Sequence, residues 1–391
     1  LEASIEYQKS AGWHGTQNRQ KQKLMASMGS RQAQFDQLRL IRSPNIGPVS
    51  YRQLMARFGS ARAAIEALPD LIRRGGGKSV VLANDEAIAR EFQFAQNFGA
   101  RHVFIGDDDY PYLLSQMDNA PPVICIKGNL ALLAQPAVAL VGARNASAGA
   151  CQFARQLAFD LGQMGLSVVS GLARGIDTAA HAGSIESGTV AVIAGGIDVV
   201  YPPENRALQE AIAERGLLIA EQPPGTEPRA RHFPYRNRII AGTSVGTVVI
   251  EAAPNSGSLI TARLAAEAGR EVMAIPGSPL DPRSRGCNQL IREGATLVQD
   301  ASEIAELVSP LDNRMLAPAV KTAPSFAVMN DDESNVERGA VIDLMGMTYV
   351  SVDELVRQSG SNPTTVQMVL LELELAGKLE RGAGGKVRLA A

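Results

Sequence analysis

The chain has 391 residues, 38 Lys plus Arg against 40 Asp plus Glu, and a formal net charge of -2. That length allows two or three domains with at least one large core, and the charge excludes a global positive field, so a nucleic-acid site must be a local cluster. Three cysteines (Cys125, Cys151, Cys287) and four histidines (His14, His102, His181, His232) lie scattered, which excludes a disulfide framework and argues against zinc, so no metal or cofactor is expected.

Residues 1–30 lack periodicity and open with Leu rather than Met. They are expected to be a disordered leader or vector-derived segment, with Met25 or Met28 as a natural start. Residues 1–23 are polar and carry no secretory apolar core, and no apolar run in the chain reaches the ~20 residues of a bilayer span. A soluble cytoplasmic protein with no membrane partner follows. From Asp36 the pattern turns helical, with Leu54, Met55 and Phe58 on one face. Pro44 to Pro48, with Gly47 between, breaks the chain between two helices. Residues 31–98 thus resemble a sterile-alpha-motif-like or helix-hairpin-helix bundle. The turn either presents N–H groups to a phosphate or only packs; Pro48, lacking one donor, favours packing.

Residues 99–308 alternate apolar runs with helical patterns. Runs at 137–141, 167–170, 190–194, 217–220, 247–251 and 271–275 read as buried parallel strands, with a further strand at 123–127. The expectation is an α/β domain, an extended Rossmann-like doubly wound, mostly parallel sheet. Residues 309–335 have linker composition. Residues 336–391 read as three helices followed by two short strands around Gly382–Gly385, resembling a winged helix with Pro363 near the start of its third helix. That presumed recognition helix carries Glu372 and Glu374 and no Lys or Arg. Phosphate contacts dominate duplex affinity, so a protein-contact or regulatory module is expected rather than a duplex reader.

Chemistry concentrates in four stretches of the middle domain. The first strand ends in VGARNASAG, where a dinucleotide fingerprint needs a second glycine two residues after Gly142. Arg144 stands there instead, and the second strand ends at Ser170-Gly171 without an acid for a ribose. Nicotinamide binding is excluded on both counts, and an anion site built on a strand-to-helix turn and a guanidinium remains. The second turn, SGLARGIDTAAH, projects Arg174 between Gly171 and Gly175 at the carboxyl end of a strand, where ligands of open α/β sheets sit. His181 reads as a packing or capping residue.

The third stretch, RARHFPYRNRII, places Arg229, Arg231, Arg236 and Arg238 among Phe233 and Tyr235, with no acid between Glu227 and Glu251. Cations alternating with flat rings suit single strands, whose bases can stack. Residues 138–300 hold fourteen arginines, no lysine and fifteen acids, so positive charge is concentrated in clusters and carried by the planar side chain that forks onto phosphate. In the fourth stretch, EAAPNSGSLITA, Ser256, Gly257 and Ser258 offer N–H and hydroxyl donors, and Glu251 either caps a loop, orders Arg238 or acts as an acid.

In order, YPYLL, APPVICIKG, VGARNASAG, SGLARGIDTAAH, GGIDVVYPPENRAL, AEQPPG, FPYRNRIIAG, EAAPNSGSLITA, AIPGSP and NQLIREGA resemble the DNA-processing protein A (DprA, also called Smf) family over residues 110–296. The resemblance implies a cytoplasmic bacterial homodimer that binds incoming single-stranded DNA during natural transformation, shields it and helps load RecA. A contact with single-strand-binding protein is a further implied partner. Carried over, the family's DNA pocket falls on Arg144, Ser170, Gly171, Arg174, Arg236, Asn237 and Arg238, and dimerisation on the stretch around Leu290, Ile291 and Leu297. Ala220 stands where the family has a serine before its glutamate, which puts a DNA contact at 220 in doubt.

Two functions compete. A non-enzymatic single-strand binder that neutralises four phosphates would lose affinity with salt at a logarithmic slope near about -3. A nucleotide-handling enzyme, such as a nucleoside-monophosphate phosphoribohydrolase, would use Glu251 to stabilise an oxocarbenium-like sugar. Against the second, there is no PGGxGT-type loop and no second carboxylate evidently paired with Glu251.

Overall fold

The computed structural model describes residues 29–315, 333–382 and 384–390. The leader expected over 1–30 and the linker expected over 309–335 fall mostly outside the described residues. In chain order, a helix over 29–42 (α1) is followed by α2 (Pro48–Phe58), α3 (Ala61–Arg74) and α4 (Asp85–Asn97). The α/β portion runs β1 (Arg101–Phe104), α5 (Tyr112–Ser115), β2 (Val123–Gly128), β3 (Ala137–Gly142), α6 (Ala148–Gln163), β4 (Ser167–Ser170), α7 (Ile176–Ser184) and β5 (Thr189–Gly196). It continues with α8 (Arg206–Arg215), β6 (Leu217–Gln222), α9 (His232–Thr243), β7 (Gly246–Ile250), α10 (Gly257–Glu267) and β8 (Glu271–Ala274). Then come α11 (Arg285–Arg292), β9 (Thr296–Leu297) and α12 (Ala301–Met315). The last portion holds α13 (Glu333–Asp343), β10 (Val350–Ser351), α14 (Val352–Ser359), α15 (Pro363–Leu375), β11 (Leu379–Arg381) and β12 (Lys386–Leu389).

The chain divides into two compact units, one made of the described residues from 90 to 315 and the other of those before 90 together with those after 332. In the first, nine strands lie in the order β1-β2-β6-β5-β4-β3-β7-β8-β9. The neighbours from β6 to β9 pair in parallel, while β1–β2 and β2–β6 are antiparallel. The sheet starts at β3, steps outward to β6, and crosses back to β7, which is the doubly wound, mostly parallel arrangement expected. Alternate residues serve opposite faces: Ala139 and Val141 of β3 meet Ile239 and Ile240 of α9, whereas Val138 and Leu140 meet Leu157 and Leu161 of α6. The edge strands β1 and β9 escape sequence reading because one is four residues long with an exposed first residue and the other has two residues.

In the second unit, α15 packs against both its own winged-helix core and the N-terminal bundle. Val366, Val369, Leu370 and Leu373 face the winged-helix core. The Gln53 side chain donates to Gln367 at 2.7 Å, Asn45 Nδ2 donates to the Leu375 carbonyl at 3.4 Å, and Arg338 pairs with Glu372 and reaches the Arg74 carbonyl. The Pro44–Pro48 turn therefore packs. Its Gly47 N–H donates to Ser50 Oγ, and Pro48 takes the first helical position, where an N–H would have no partner.

Candidate nucleic-acid interface

The carboxyl ends of β3, β4 and β5 meet the first half of α9. Because α9 begins at His232, residues three and four apart share a face: Phe233 lines up with Arg236 and Asn237, while Tyr235 is turned out, 55% exposed. The helix period thus overrides the cation–ring alternation read from the sequence. The Phe233 ring carries the Arg144 guanidinium 4.7 Å from its centroid and that of Arg236 at 5.8 Å, a cation–π arrangement that gathers one cation from the turn after β3 and one from α9.

Arg236 forms the floor. It is 6% exposed, and an added Cβ on Gly171 would fall 1.2 Å from its Nη1. Gly171 is therefore the residue over which the guanidinium lies, and any side chain there would displace it. Among the described residues its carboxylate neighbour is Asp177, at 3.9 Å. The Asp177 carboxylate instead accepts the N–H groups of Gly171 and Ala173 at 3.2 and 3.3 Å. Arg236 Nε is enclosed with no hydrogen-bond partner. Burial pulls the Arg236 pKa down to about 10, so it stays cationic at neutral pH, and burial likewise pushes the Asp177 carboxyl upward. Arg144 is exposed and has no carboxylate partner among the described residues. Gly175 closes the arrangement: its φ is +73°, and an added Cβ would lie 2.3 Å from the Ala143 carbonyl, so the turns after β3 and β4 abut.

The remaining expected residues fall into three groups. Arg174 is exposed on the same rim but engaged by Glu204 at 2.9 Å. Asn237 donates to the Gly257 carbonyl at 3.2 Å and so ties α9 to the start of α10, where the Ser256 and Ser258 hydroxyls bond each other at 2.8 Å. Three residues depart from direct contact. Ser170 is fully buried and donates to the Leu140 carbonyl at 2.7 Å, and Arg238 is 3% exposed and bound to Glu221. Gly142 has a structural reason to lack a side chain, since an added Cβ would strike the Ile250 carbonyl at 1.9 Å. Ser170 and Arg238 thus spend their side chains on protein partners, tying β4 to β3 and α9 to β6.

Two further expectations resolve at the same edge. The Glu251 carboxylate accepts from the Ser147 N–H at 2.8 Å, Ser147 Oγ at 3.1 Å and Arg283 Nε at 3.0 Å. It thereby bridges the crevice between β3 and β7 and caps α6, and it does not order Arg238. His181 is fully buried; its Nε2 accepts the Leu172 N–H at 3.3 Å and its Nδ1 meets Thr189 Oγ1 at 2.7 Å, a packing role. Missed in the sequence were Asp177, Glu204 and Tyr201. Tyr201 lies in the GGIDVVYPPENRAL stretch, 44% exposed, its ring centroid 5.7 Å from that of Phe233. Its proximity depends on a fold-back of more than thirty residues that no local pattern shows.

A doubly wound sheet with a buried guanidinium, paired only at 3.9 Å, and a second, exposed one at its rim defines an α/β protein of the doubly wound class, in a chain that also carries a helical and a winged-helix module. Residues 101–309 match the model of the DNA recombination-mediator protein A family, residues 31–93 that of a DprA-like N-terminal HHH domain, and residues 327–385 that of a DprA winged helix domain. The chain belongs to the DNA recombination-mediator protein A family. It is 46% identical over 223 residues to a DNA processing protein DprA of Streptococcus pneumoniae, covering 56% of this chain and 77% of that protein. A putative DNA processing protein DprA of Mycobacterium tuberculosis is 34% identical over 333 residues, 83% of this chain and 81% of that one. The X-ray structure of the Streptococcus pneumoniae DNA processing protein A superposes with a TM-score of 0.55 at 40% identity, over 63% of this chain and 82% of that one. Among the described residues, no helix is long and apolar enough to cross a membrane.

Proposed function

We propose that the chain binds single-stranded DNA at the rim formed by Arg144, Gly171, Arg174 and Arg236, without catalysing a reaction on it. The observation that carries this reading is Arg236, a buried cation whose Nε lacks an acceptor. Its pairing with Asp177 is long, 3.9 Å; an enclosed guanidinium so weakly paired is costly, and a phosphate oxygen at the rim supplies further negative charge and an acceptor. Arg144, exposed beside it, and Arg229 and Arg231 at the start of α9 extend the positive rim along a backbone. Glu251, committed to Ser147 and Arg283, is poorly placed to serve as the acid of a phosphoribohydrolase. By family likeness the reading extends to a cytoplasmic homodimer that protects the strand and passes it to RecA during DNA uptake, with single-strand-binding protein as a further contact.

The test is a titration of fluorescent oligo-dT and of duplex at several salt concentrations. With Arg144, Arg174 and Arg236 each neutralising one phosphate, the logarithmic slope is near about -2, roughly a twenty-fold loss between 50 and 200 mM salt. Arg144→Ala lowers affinity for every sequence alike. Gly171→Ala, which keeps all the charges but pushes the Arg236 guanidinium aside, lowers it by about tenfold or more. A flat salt response, or full affinity in Gly171→Ala, rules the site out.

A further inference from the structure

Two aromatic rings, Phe233 and Tyr201, meet at this rim. Phe233 carries one guanidinium at 4.7 Å, another at 5.8 Å and the Tyr201 ring at 5.7 Å. It is committed to placing cations. Tyr201 abuts it at an interplanar angle of 58° and remains 44% exposed, so it is the ring with area to offer a ligand.

The loop that presents Tyr201 is anchored on both sides. Next to it Pro202 is buried. Asn205 Nδ2 donates to the Leu172 carbonyl at 3.0 Å and to Thr178 Oγ1 at 2.9 Å, binding the loop after β5 to the turn after β4 that holds Gly171. Gln209 Nε2 donates to the Val199 carbonyl at 3.1 Å, and Asp198 accepts the Gly225 N–H at 2.8 Å. A ring held by such a loop loses little further freedom on binding, which favours contact with a flat ligand. Tyrosine also joins an apolar face to a polar tip.

Resting on the single-strand reading above, we infer that Tyr201 is a base-stacking residue: it receives the base of a nucleotide whose phosphate lies on Arg144 and Arg236. Every base has a π-face, so the contact tolerates any sequence but requires an unstacked base. A duplex keeps its bases stacked and can offer only phosphate. Tyr201 therefore supplies preference for single strands, while the guanidinium groups supply affinity shared by any polyanion.

The experiment compares oligo-dT, an abasic oligomer of the same length and a duplex against wild type, Tyr201→Ala, Tyr201→Phe and Arg144→Ala. Tyr201→Ala is expected to weaken oligo-dT about five- to thirtyfold, leave the abasic oligomer and duplex unchanged, and be rescued by Tyr201→Phe. Arg144→Ala weakens all three. In Tyr201→Trp, stacking quenches indole emission on adding oligo-dT but not the abasic oligomer; the native chain has one tryptophan, Trp13, for subtraction. Equal losses on abasic and base-bearing strands, or no loss on either while Arg144→Ala still weakens binding, would overturn the stacking role and leave the proposed function standing. Failure of the wild type to bind oligo-dT at all would end both.

Discussion

His181 shows how a single buried side chain writes a pH dependence into the molecule. Burial and the nearby Arg236 charge hold its pKa down to about 3, from an ordinary 6.5. The folded protein thus keeps the ring neutral where the unfolded chain would protonate it. Above pH 6.5 neither state binds the proton and the stability contribution is whole. As pH falls below 6.5 the unfolded state gains a proton the folded state refuses, so stability drops toward pH 3, by on the order of 1 kcal/mol per pH unit. Urea midpoints at pH 8, 6 and 5 should fall more steeply for wild type than for His181→Gln, which is less stable at pH 8 but flatter. Parallel profiles would contradict this. The sequence reading of His181 as a packing residue followed from its lack of a nucleophilic partner. What could not be read locally was its hydrogen bond to Leu172, a residue at φ +55° in the turn that underlies Arg236.

At the scale of the element, the turns after β3 and β7 are locked together. Glu251 sits at φ +53°, a conformation costly for a side chain that is not glycine. Its carboxylate caps α6 through Ser147, which itself accepts the Ala150 N–H at 3.1 Å. Glu251→Ala keeps the strained backbone and loses the cap, so it should destabilise the protein by about 1–3 kcal/mol, seen as a lower denaturant midpoint. Nucleoside monophosphates should yield no free base with wild type or variant; release that vanished in the variant would revive the hydrolase reading. Helix α9 makes a related point. RARHFPYRNRII reads as alternating cations and rings, yet at helical spacing Arg236 meets Phe233 while Arg238 turns inward to Glu221. Charge type was legible, but orientation waited on where the helix began.

For the whole molecule, the N-terminal bundle and the winged helix close on one another although the α/β domain lies between them in the chain. An added Cβ on Gly75, just past α3, would lie 2.0 Å from the Glu372 carbonyl of α15. Gly75→Val should therefore separate α15 from α3 and raise amide hydrogen exchange in both, while oligo-dT affinity, here proposed to reside in residues 142–258, should be unchanged. Unaltered exchange would show the contact to be dispensable. Helix α15 is packed against α3, with Glu372 2% exposed and bound to Arg338. Its lack of Lys and Arg is the trace of that packing in the sequence.

Apolar runs of four to six residues at regular spacing, and motifs in their order, were enough to establish the doubly wound sheet, the flanking modules and the family, because periodicity and turn chemistry act within a few residues of one another. Which carboxylate each guanidinium meets depended on acids far along the chain: Glu204, in an exposed pair, for Arg174 and Glu221, in a buried one, for Arg238. Burial and ion pairing are properties of neighbours in space. Only closure of the sheet, bringing Gly171 beneath Arg236 and Tyr201 beside Phe233, could assign those roles.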